Sequence, residues 1–204
     1  MSVSINYKTN TIKKNLPNIV LFVDEKFNIS SLKKHVISSE YSLISDLLKT
    51  KDLKQRILEF DISSKKKLIL VSLEKNLSNS KVENLGAKFY DKFKDLKQRE
   101  FVFKSDTIPN KIKNLIGYFL HGLKLKSYTF HKYKTKKNKN NISIYISGNN
   151  KPSLKDQIKF QAIEEGAFYT RDLVSEPGNV LHPDEYAKRL NSLKKYGLKI
   201  NIYD

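Results

Sequence analysis

NIVLFVDE, residues 18–25, is an unbroken apolar and β-branched run. Runs of this length without helical spacing are typical of strands that are buried on both faces of a sheet. KKLILVSL (66–73) has the same character, and RILEFDI (56–62) and NISIYIS (141–147) alternate apolar and polar residues. Together with EFVFKSD (100–106), these runs predict five strands.

Stretches with helical periodicity lie between these strands, at residues 30–52, 78–96 and 109–125. Pro109 is expected near the first position of the third helix, where a missing backbone N–H is tolerated. Strands that alternate with helices predict an α/β domain with a parallel or mixed sheet covered by helices. The apolar residues that mark the helical stripes are Leu43, Ile44, Leu47, Leu48, Val82, Leu85, Phe89, Phe93, Ile112, Leu115, Ile116 and Phe119.

The composition is typical of a globular intracellular protein. A chain of 204 residues with 39% hydrophobic residues is large enough to bury a core. It contains no cysteine, which excludes disulfides, thiolate nucleophiles and cysteine zinc sites. The N-terminus lacks the apolar core of a signal peptide, and no apolar run reaches the roughly 18 residues of a membrane span. We therefore expect a cytoplasmic chain with no membrane partner.

The formal net charge is +18, and all but four of the 39 basic residues are lysines. The arginines are Arg56, Arg99, Arg171 and Arg189. Base readout and bidentate phosphate binding favour arginine, whereas lysine acts as a point charge. The charge therefore fits a general abundance of lysine better than a dedicated nucleic-acid surface, although nucleic acid stays open as a partner.

A domain boundary is predicted at SGNNKPS (147–153), where turn-forming residues cluster. Ser153 and Asp156 then have the spacing of a capping box at the start of a long helix. The apolar residues expected to form the buried stripe of that helix are Ile158, Ala162, Ala167 and Phe168.

RDLVSEPGNVLHPDEYAKRL (171–190) contains the breaks that end this helix and start another. Pro177 should end the first helix near Val174 or Ser175, because it lacks a backbone N–H and disfavours helical geometry before it. Gly178 permits a positive φ, and Pro183 is expected at the start of the next helix.

The second helix is expected to turn Tyr186, Leu190 and Leu193 inward and to end at Gly197. LKINIYD (198–204) alternates apolar and polar residues, which predicts a strand. The segment is therefore interpreted as a shaped connection that leads into a second α/β layer.

Residues 164–190 resemble the start of the catalytic domain in the cytosol (leucyl) aminopeptidase family. The residues that match its motif are Arg171, Asp172, Leu173, Pro177, Asn179 and Pro183. GLKLKSYTFHKYKTKK (122–137) is similar to the Gly…Tyr-x-Phe…Tyr-Lys-x-Lys-Lys segment of the family. The resemblance covers about residues 122–204, residues 1–121 agree only in the order of elements, and His182 replaces a helix-capping Thr.

The resemblance implies three regions: a macro-like N-terminal α/β domain (1–150), a linking helix (151–175) and the truncated start of a metallopeptidase catalytic domain (176–204). Family members remove N-terminal amino acids from peptides with two divalent metals, Mn or Zn, and assemble as homohexamers. Their metal ligands and catalytic residues lie beyond the equivalent of Asp204. We therefore expect no catalytic, cofactor-binding or metal-binding residue in this chain, and no peptidase activity from it alone.

The residues with catalytic chemistry do not form a recognisable motif. His35, His121, His131 and His182 are scattered and are expected on the surface or in packing roles. Glu164 and Glu165 are adjacent, so on a helix they point about 100° apart. Glu165 and Asp172 share a helix face that is expected to be solvated, and Ser175 lacks the setting of a nucleophile.

KYKTKKNKNN (132–141), flanked by Tyr128, Phe130 and Tyr133, is the best candidate for nucleic-acid binding. Lysines attract phosphates, and aromatic rings stack on unpaired bases. A solvated loop before the last strand is the favoured interpretation. The alternative functions are a stand-alone basic nucleic-acid-binding module and a scaffold that joins subunits into oligomers.

Overall fold

A computed structural model describes residues 3–8, 18–109, 113–135 and 141–203. Six strands form one mixed sheet, which confirms the predicted α/β class. The strands are β1 (Val3–Asn6), β2 (Asn18–Asp24), β3 (Ile57–Ser63), β4 (Lys66–Leu73), β5 (Glu100–Lys104) and β6 (Ile142–Ser147).

The described part of the chain also forms five α-helices: α1 (Ser38–Leu48), α2 (Asn79–Phe93), α3 (Leu115–Lys126), α4 (Leu154–Ser175) and α5 (Pro183–Asn191). Within the described residues, short 3₁₀ helices cover Ser30–Lys34, Ser105–Thr107 and Ser192–Tyr196. None of the helices within the described residues is both long and apolar enough to cross a bilayer.

The order of strands across the sheet is β1-β6-β5-β2-β4-β3. Every pairing is parallel except that of β3 with β4, which form an antiparallel hairpin. β2, the apolar run of residues 18–24, lies between β4 and β5. A central parallel strand is covered on both faces, which explains why this run is continuously apolar.

The two faces of the sheet bury separate cores. On β2, Val20 and Phe22 face α2 and α3, whereas Leu21 and Val23 face the layer that contains α1. The first core is rich in phenylalanine: the ring of Phe119 meets those of Phe22 and Phe89 edge to face at 5.8 and 5.7 Å. Successive side chains of β2 point to opposite faces of the sheet, so this strand contributes to both cores of a three-layer fold.

Two glycines let the backbones of α2 and α3 come into direct contact. A Cβ on Gly86 would lie 1.9 Å from the carbonyl oxygen of Phe119, and one on Gly122 would lie 2.0 Å from that of Glu83. No side chain fits at either position without moving a helix. This contact seats both helices on the phenylalanine-rich face of the sheet.

Two predicted helices differ from the structure at their starts. Residues 30–52 do not form one helix, because Ile37 is extended (ψ 156°) between the first 3₁₀ helix and α1. The third helix begins at Leu115 and not at Pro109, because Asn114 adopts the left-handed conformation (φ 57°, ψ 21°). The expected buried position of Ile112 lies outside the described residues.

The predicted buried stripe of α4 is wrong in large part. Ile158 is 60% exposed and Ala162 is exposed, whereas Phe160 and Glu164 are buried against α3. The reason is the shape of α3, where Gly117 leaves space that the ring of Phe160 fills, 2.4 Å from a would-be Cβ. The start and end of α4 are as predicted: Ser153 caps it, with the backbone N–H of Asp156 as donor, and Ser175 ends it.

Two further differences concern strands. β1 was not predicted, and residues 198–203 form no strand in the structure, contrary to expectation. A strand needs a neighbour to satisfy its backbone groups, and none of the described strands pairs with residues 198–203. Tyr186, expected to face inward, is 43% exposed. The domain boundaries after residues 150 and 175 stay predictions.

Candidate functional site at the helix junction

The linking helix α4 is fastened to α3 by a buried carboxylate. The side chain of Glu164 is 4% exposed and lies 2.6 Å from Lys124 Nζ and 3.1 Å from His121 Nδ1. Burial, and secondly the charge of Glu164, raise the pKa of Tyr7 above its usual range. Since a buried charge requires partners, this cluster holds α4 in one position on the domain.

The Arg-Asp-Leu motif continues this attachment near the end of α4. Arg171 Nη1 donates to the carbonyl oxygen of Leu125 at 2.6 Å, and its guanidinium lies over the ring of Tyr128 at 5.5 Å. The Tyr128 hydroxyl donates to Asp172 Oδ1 at 2.7 Å. Leu173 is buried. The motif therefore binds the last turn of α3 and Tyr128 just after it, and it has a structural role at this point.

Glu176, the residue after α4, joins three parts of the chain. Its side chain is 1% exposed and accepts hydrogen bonds from Lys132, Tyr133 and Arg189. Arg189 lies on α5 and also donates from Nε to Glu185 Oε1 at 2.9 Å. One carboxylate therefore connects the 128–135 segment, α4 and α5.

These contacts shift the pKa values of Glu176 and Tyr133. The hydrogen bond from Lys132, followed by those from Tyr133 and Arg189, lowers the pKa of Glu176 from 4.5 to about 2. The bond to Glu176 raises the pKa of Tyr133 in turn. Hydrogen bonds donated to Glu176 favour its charged carboxylate, and the bond that Tyr133 donates favours its own protonated phenol. Glu176 is therefore an anion throughout the neutral and mildly acidic range.

The turn after Glu176 is built from backbone hydrogen bonds. The carbonyl oxygen of Pro177 accepts from the N–H groups of Val180 and Leu181, both at 2.9 Å. Gly178 does not use the positive φ that its sequence position permits, and a Cβ there would meet no neighbour within 4 Å. Pro183 occupies the start of α5 as predicted, and the side chain of His182 makes no capping hydrogen bond.

A cavity of about 410 Å³ opens at this junction. Its walls come from the segment after α3, the last turns of α4 and one residue of α5. The lining residues are Thr129, Phe130, His131, Lys132, Tyr169, Asp172, Leu173, Glu176 and Arg189. Four of them are charged residues of both signs, and Phe130 and Leu173 contribute apolar side chains. The arrangement can bind a small polar molecule, and it contains no nucleophile aligned with a base.

The histidines occupy four separate places. His121 is buried against Glu164, and His182 is exposed at the start of α5. Burial, and then the charges of Lys34 and Lys104, lower the pKa of His35. His131 lines the junction cavity. The structure therefore does not bring these histidines together.

The other sequence candidates also stay apart. Glu165 is exposed and accepts from Gln161 Nε2 at 2.8 Å, and Ser175 is exposed. Of the aromatic residues beside the basic run 132–141, Tyr128 and Tyr133 direct their hydroxyls to Asp172 and Glu176. Residues 136–140 of that run lie outside the described residues. Nucleic-acid binding by this segment stays a prediction.

The two divalent metals implied by the resemblance find no matching ligands here. Within residues 3–8, 18–109, 113–135 and 141–203, no three His, Asp or Glu side chains converge in a way that could hold a metal ion. The buried Glu164 already forms an ion pair with Lys124 and a hydrogen bond with His121. The expectation that the metal ligands lie outside this chain stays a prediction.

Sequence reasoning missed the two acids that organise the junction. No sequence pattern singles out Glu176, and Glu164 is notable in the sequence only as a neighbour of Glu165. Their partners Lys132, Arg189, Lys124 and His121 lie 13 to 44 residues away along the chain. The one local signal was the i,i+4 spacing of Glu185 and Arg189, which form an ion pair.

The chain is similar to curated bacterial aminopeptidases over most of its length. It is 27% identical to a probable cytosol aminopeptidase of Clostridium perfringens over 203 residues, which cover 94% of this chain and 38% of that protein. It is 29% identical to the Rickettsia typhi protein of the same name over 90% of this chain and 40% of that protein. A search of protein-family models found no match.

The fold is that of leucine aminopeptidases. A tomato leucine aminopeptidase mutant matches 97% of this chain with a TM-score of 0.66 at 14% identity, over 43% of its own length. The bottromycin maturation enzyme BotP matches 93% of this chain with a TM-score of 0.62, over 40% of its length. The resemblance to the cytosol aminopeptidase family is thus confirmed, and the chain corresponds to the N-terminal portion of its members. It spans about 40% of the length of the curated relatives that it matches.

Proposed function

We propose that this chain serves as the N-terminal portion of a leucyl-aminopeptidase-like metalloexopeptidase, which removes N-terminal amino acids from peptides in the cytoplasm. The observation that carries the proposal is the similarity to cytosol aminopeptidases over 90–94% of the chain. The junction supports it, because the Arg171–Leu173 motif attaches the end of α4 to Leu125 and Tyr128, and Glu176 holds Arg189 in the last turn of α5. In this proposal the chain supplies the positioning of a catalytic domain and none of its metal ligands.

In the proposed mechanism, the metal centre carries out hydrolysis and the residues of this chain orient the catalytic domain. Two divalent metals, Mn or Zn, would polarise the peptide carbonyl and activate water, with ligands outside residues 1–204. The residues of this chain would orient the first catalytic-domain helix, since Arg189 on α5 is held through Glu176 to Lys132 and Tyr133. Placement of reacting groups to within fractions of an ångström is what such a scaffold contributes to rate.

The chain on its own is expected to hydrolyse no peptide. The test is turnover of Leu-p-nitroanilide by purified residues 1–204, with and without added Mn²⁺. No release of p-nitroaniline above the buffer rate is the expected result, because no described cluster of side chains can hold the metals. Mn²⁺-dependent turnover by this chain would contradict the placement of the catalytic centre outside it.

The N-terminal domain is also proposed to contribute to a homo-oligomer, a hexamer in the assembled enzyme, and to restrict access to the active site. Static light scattering on the purified chain measures whether residues 1–204 are sufficient for this assembly. A mass above that of the 23.7 kDa monomer is the expected result. A monomer at all concentrations would place the assembly surface elsewhere.

A further inference from the structure

The cavity at the helix junction has the size of a small-molecule site. Its volume of about 410 Å³ lies within the range of about 300–1,000 Å³ that is usual for ligand pockets. Two of its lining side chains, Lys132 and Arg189, are held in place by Glu176, so this part of the wall is formed before any ligand arrives. Preorganised walls reduce the entropy cost of binding.

The charges of the walls select one class of ligand. Arg189 and Lys132 bring positive charge, and Asp172 and Glu176 bring negative charge. A simple anion would meet two carboxylates, and a simple cation would meet a guanidinium and an ammonium group. A purely apolar ligand would cover the remaining free donors of Arg189 and the free acceptor of Asp172 without pairing them. A zwitterion with an apolar part avoids all three costs.

Two of the charged groups retain hydrogen-bonding capacity. Asp172 accepts from Tyr128 through Oδ1, which leaves Oδ2 for a further donor. Arg189 uses Nε for Glu185 and Nη1 for Glu176, and a guanidinium has five N–H groups. The cavity therefore offers an acceptor for an ammonium group and donors for a carboxylate.

His131 adds an independent observation. Its Nδ1 atom is shielded from solvent and has no hydrogen-bond partner among the described residues. Buried polar atoms in folded proteins are nearly always paired, so an unpaired one beside a cavity points to a missing partner. His131 lines the same cavity as Asp172 and Arg189.

We propose that this cavity binds a free L-α-amino acid with an apolar side chain. Its ammonium group would pair with Asp172, its carboxylate with Arg189 and His131, and its side chain would pack on Phe130 and Leu173. The proposal rests on the proposed function in one respect: such amino acids are what an aminopeptidase releases. The site would then let a product of the reaction stabilise the junction that positions the catalytic domain.

The test is isothermal titration of residues 1–204 with L-leucine and L-phenylalanine. Each amino acid is compared with analogues that lack one charge: 4-methylpentanoate and isoamylamine for leucine, 3-phenylpropanoate and 2-phenylethylamine for phenylalanine. At least one of the two amino acids is expected to bind with a Kd below about 10 mM, and its analogues about tenfold more weakly or not at all, since each lacks one charge-assisted hydrogen bond. Binding by neither amino acid, or equal binding by an analogue, would overturn the proposal.

Two substitutions test whether the amino acid binds in this cavity. Asp172→Asn keeps the size of the side chain and an acceptor for Tyr128, and it is expected to weaken binding about tenfold. Asp95→Asn removes an exposed acid elsewhere and should leave the affinity unchanged. An Asp172→Asn protein that binds as tightly as the wild type would overturn the assignment. The analogue series on the unmodified chain decides the matter if that variant fails to fold, and neither result depends on peptidase activity.

Discussion

Glu176 is the residue on which the junction depends most. Its side chain is almost completely removed from solvent, yet it carries a full charge that three donors from two other segments neutralise. Loss of one partner of a buried charge leaves the remaining groups desolvated without compensation. A single substitution at this position therefore affects the 128–135 segment, the end of α4 and α5 together.

Glu176→Gln is expected to destabilise the protein at neutral pH and to change how its stability responds to acid. The folded-state pKa of Glu176, about 2, lies below the ordinary value of 4.5. The stabilisation is therefore present above about pH 4.5 and is lost as the pH falls towards 2. Urea unfolding at pH 7 and pH 3 measures this: the difference between wild type and Glu176→Gln should shrink at pH 3.

Glu25→Gln is the matched control for this measurement. Glu25 is exposed and follows β2, so its substitution should change the urea midpoint little at either pH. If Glu176→Gln unfolds at the wild-type urea concentration at pH 7, the carboxylate does not hold the junction. An equal difference at both pH values would show that the charge is not the cause.

At the scale of single residues, sequence patterns predict caps and breaks better than long-range pairs. Ser153 caps the start of α4, Pro177 follows the end of α4, and Pro183 begins α5, as the sequence predicts. The partners of Glu164 and Glu176 could not be predicted, because a pair between residues 13 to 44 positions apart is set by how the helices pack. Gly178 shows the converse, since a permitted conformation is not necessarily used.

Among the elements, the pair α2 and α3 has the least tolerance for change. Gly86→Ala would place a Cβ 1.9 Å from the backbone oxygen of Phe119. Overpacking of this kind costs about 1–3 kcal/mol or more, because backbone must move to relieve it. We expect a clear decrease in the free energy of unfolding, measured by urea titration with circular dichroism.

Gly166→Ala on α4 is the control and should act in the opposite direction. A Cβ at Gly166 meets nothing within 4 Å, and alanine in a helix is favoured over glycine by about 1 kcal/mol. The same substitution type thus stabilises one helix and destabilises another. Equal effects of Gly86→Ala and Gly166→Ala would contradict the close approach of α2 and α3.

The elements that were missed or displaced share a physical cause. β1 has only four residues and pairs in parallel with β6, about 139 positions away, so no local sequence pattern predicts it. The start of α3 depends on the left-handed conformation of Asn114, and the buried face of α4 depends on the space beside Gly117. By contrast, the central strands were predictable, because strands buried on both faces must be continuously apolar.

At the scale of the whole molecule, the order of strands and helices between β2 and α5 was predictable, and the order of strands across the sheet was not. Periodicity reports which residues are buried, whereas the placement of β2 between β4 and β5 arises from packing of distant segments. The net charge of +18 likewise did not indicate function. The most informative signal was the motif at residues 171–183, which the structure places where two helices meet.

The central claim is that this chain can serve as the N-terminal portion of a cytosol aminopeptidase and position its catalytic domain. The most direct measurement is Leu-p-nitroanilide hydrolysis, with Mn²⁺, by a chimera in which residues 1–204 replace the matching region of the Clostridium perfringens protein. The Clostridium perfringens protein from which that region has been deleted is the control. We predict metal-dependent turnover by the chimera and none by the deletion variant. A chimera that folds and assembles but does not hydrolyse the substrate would contradict the claim.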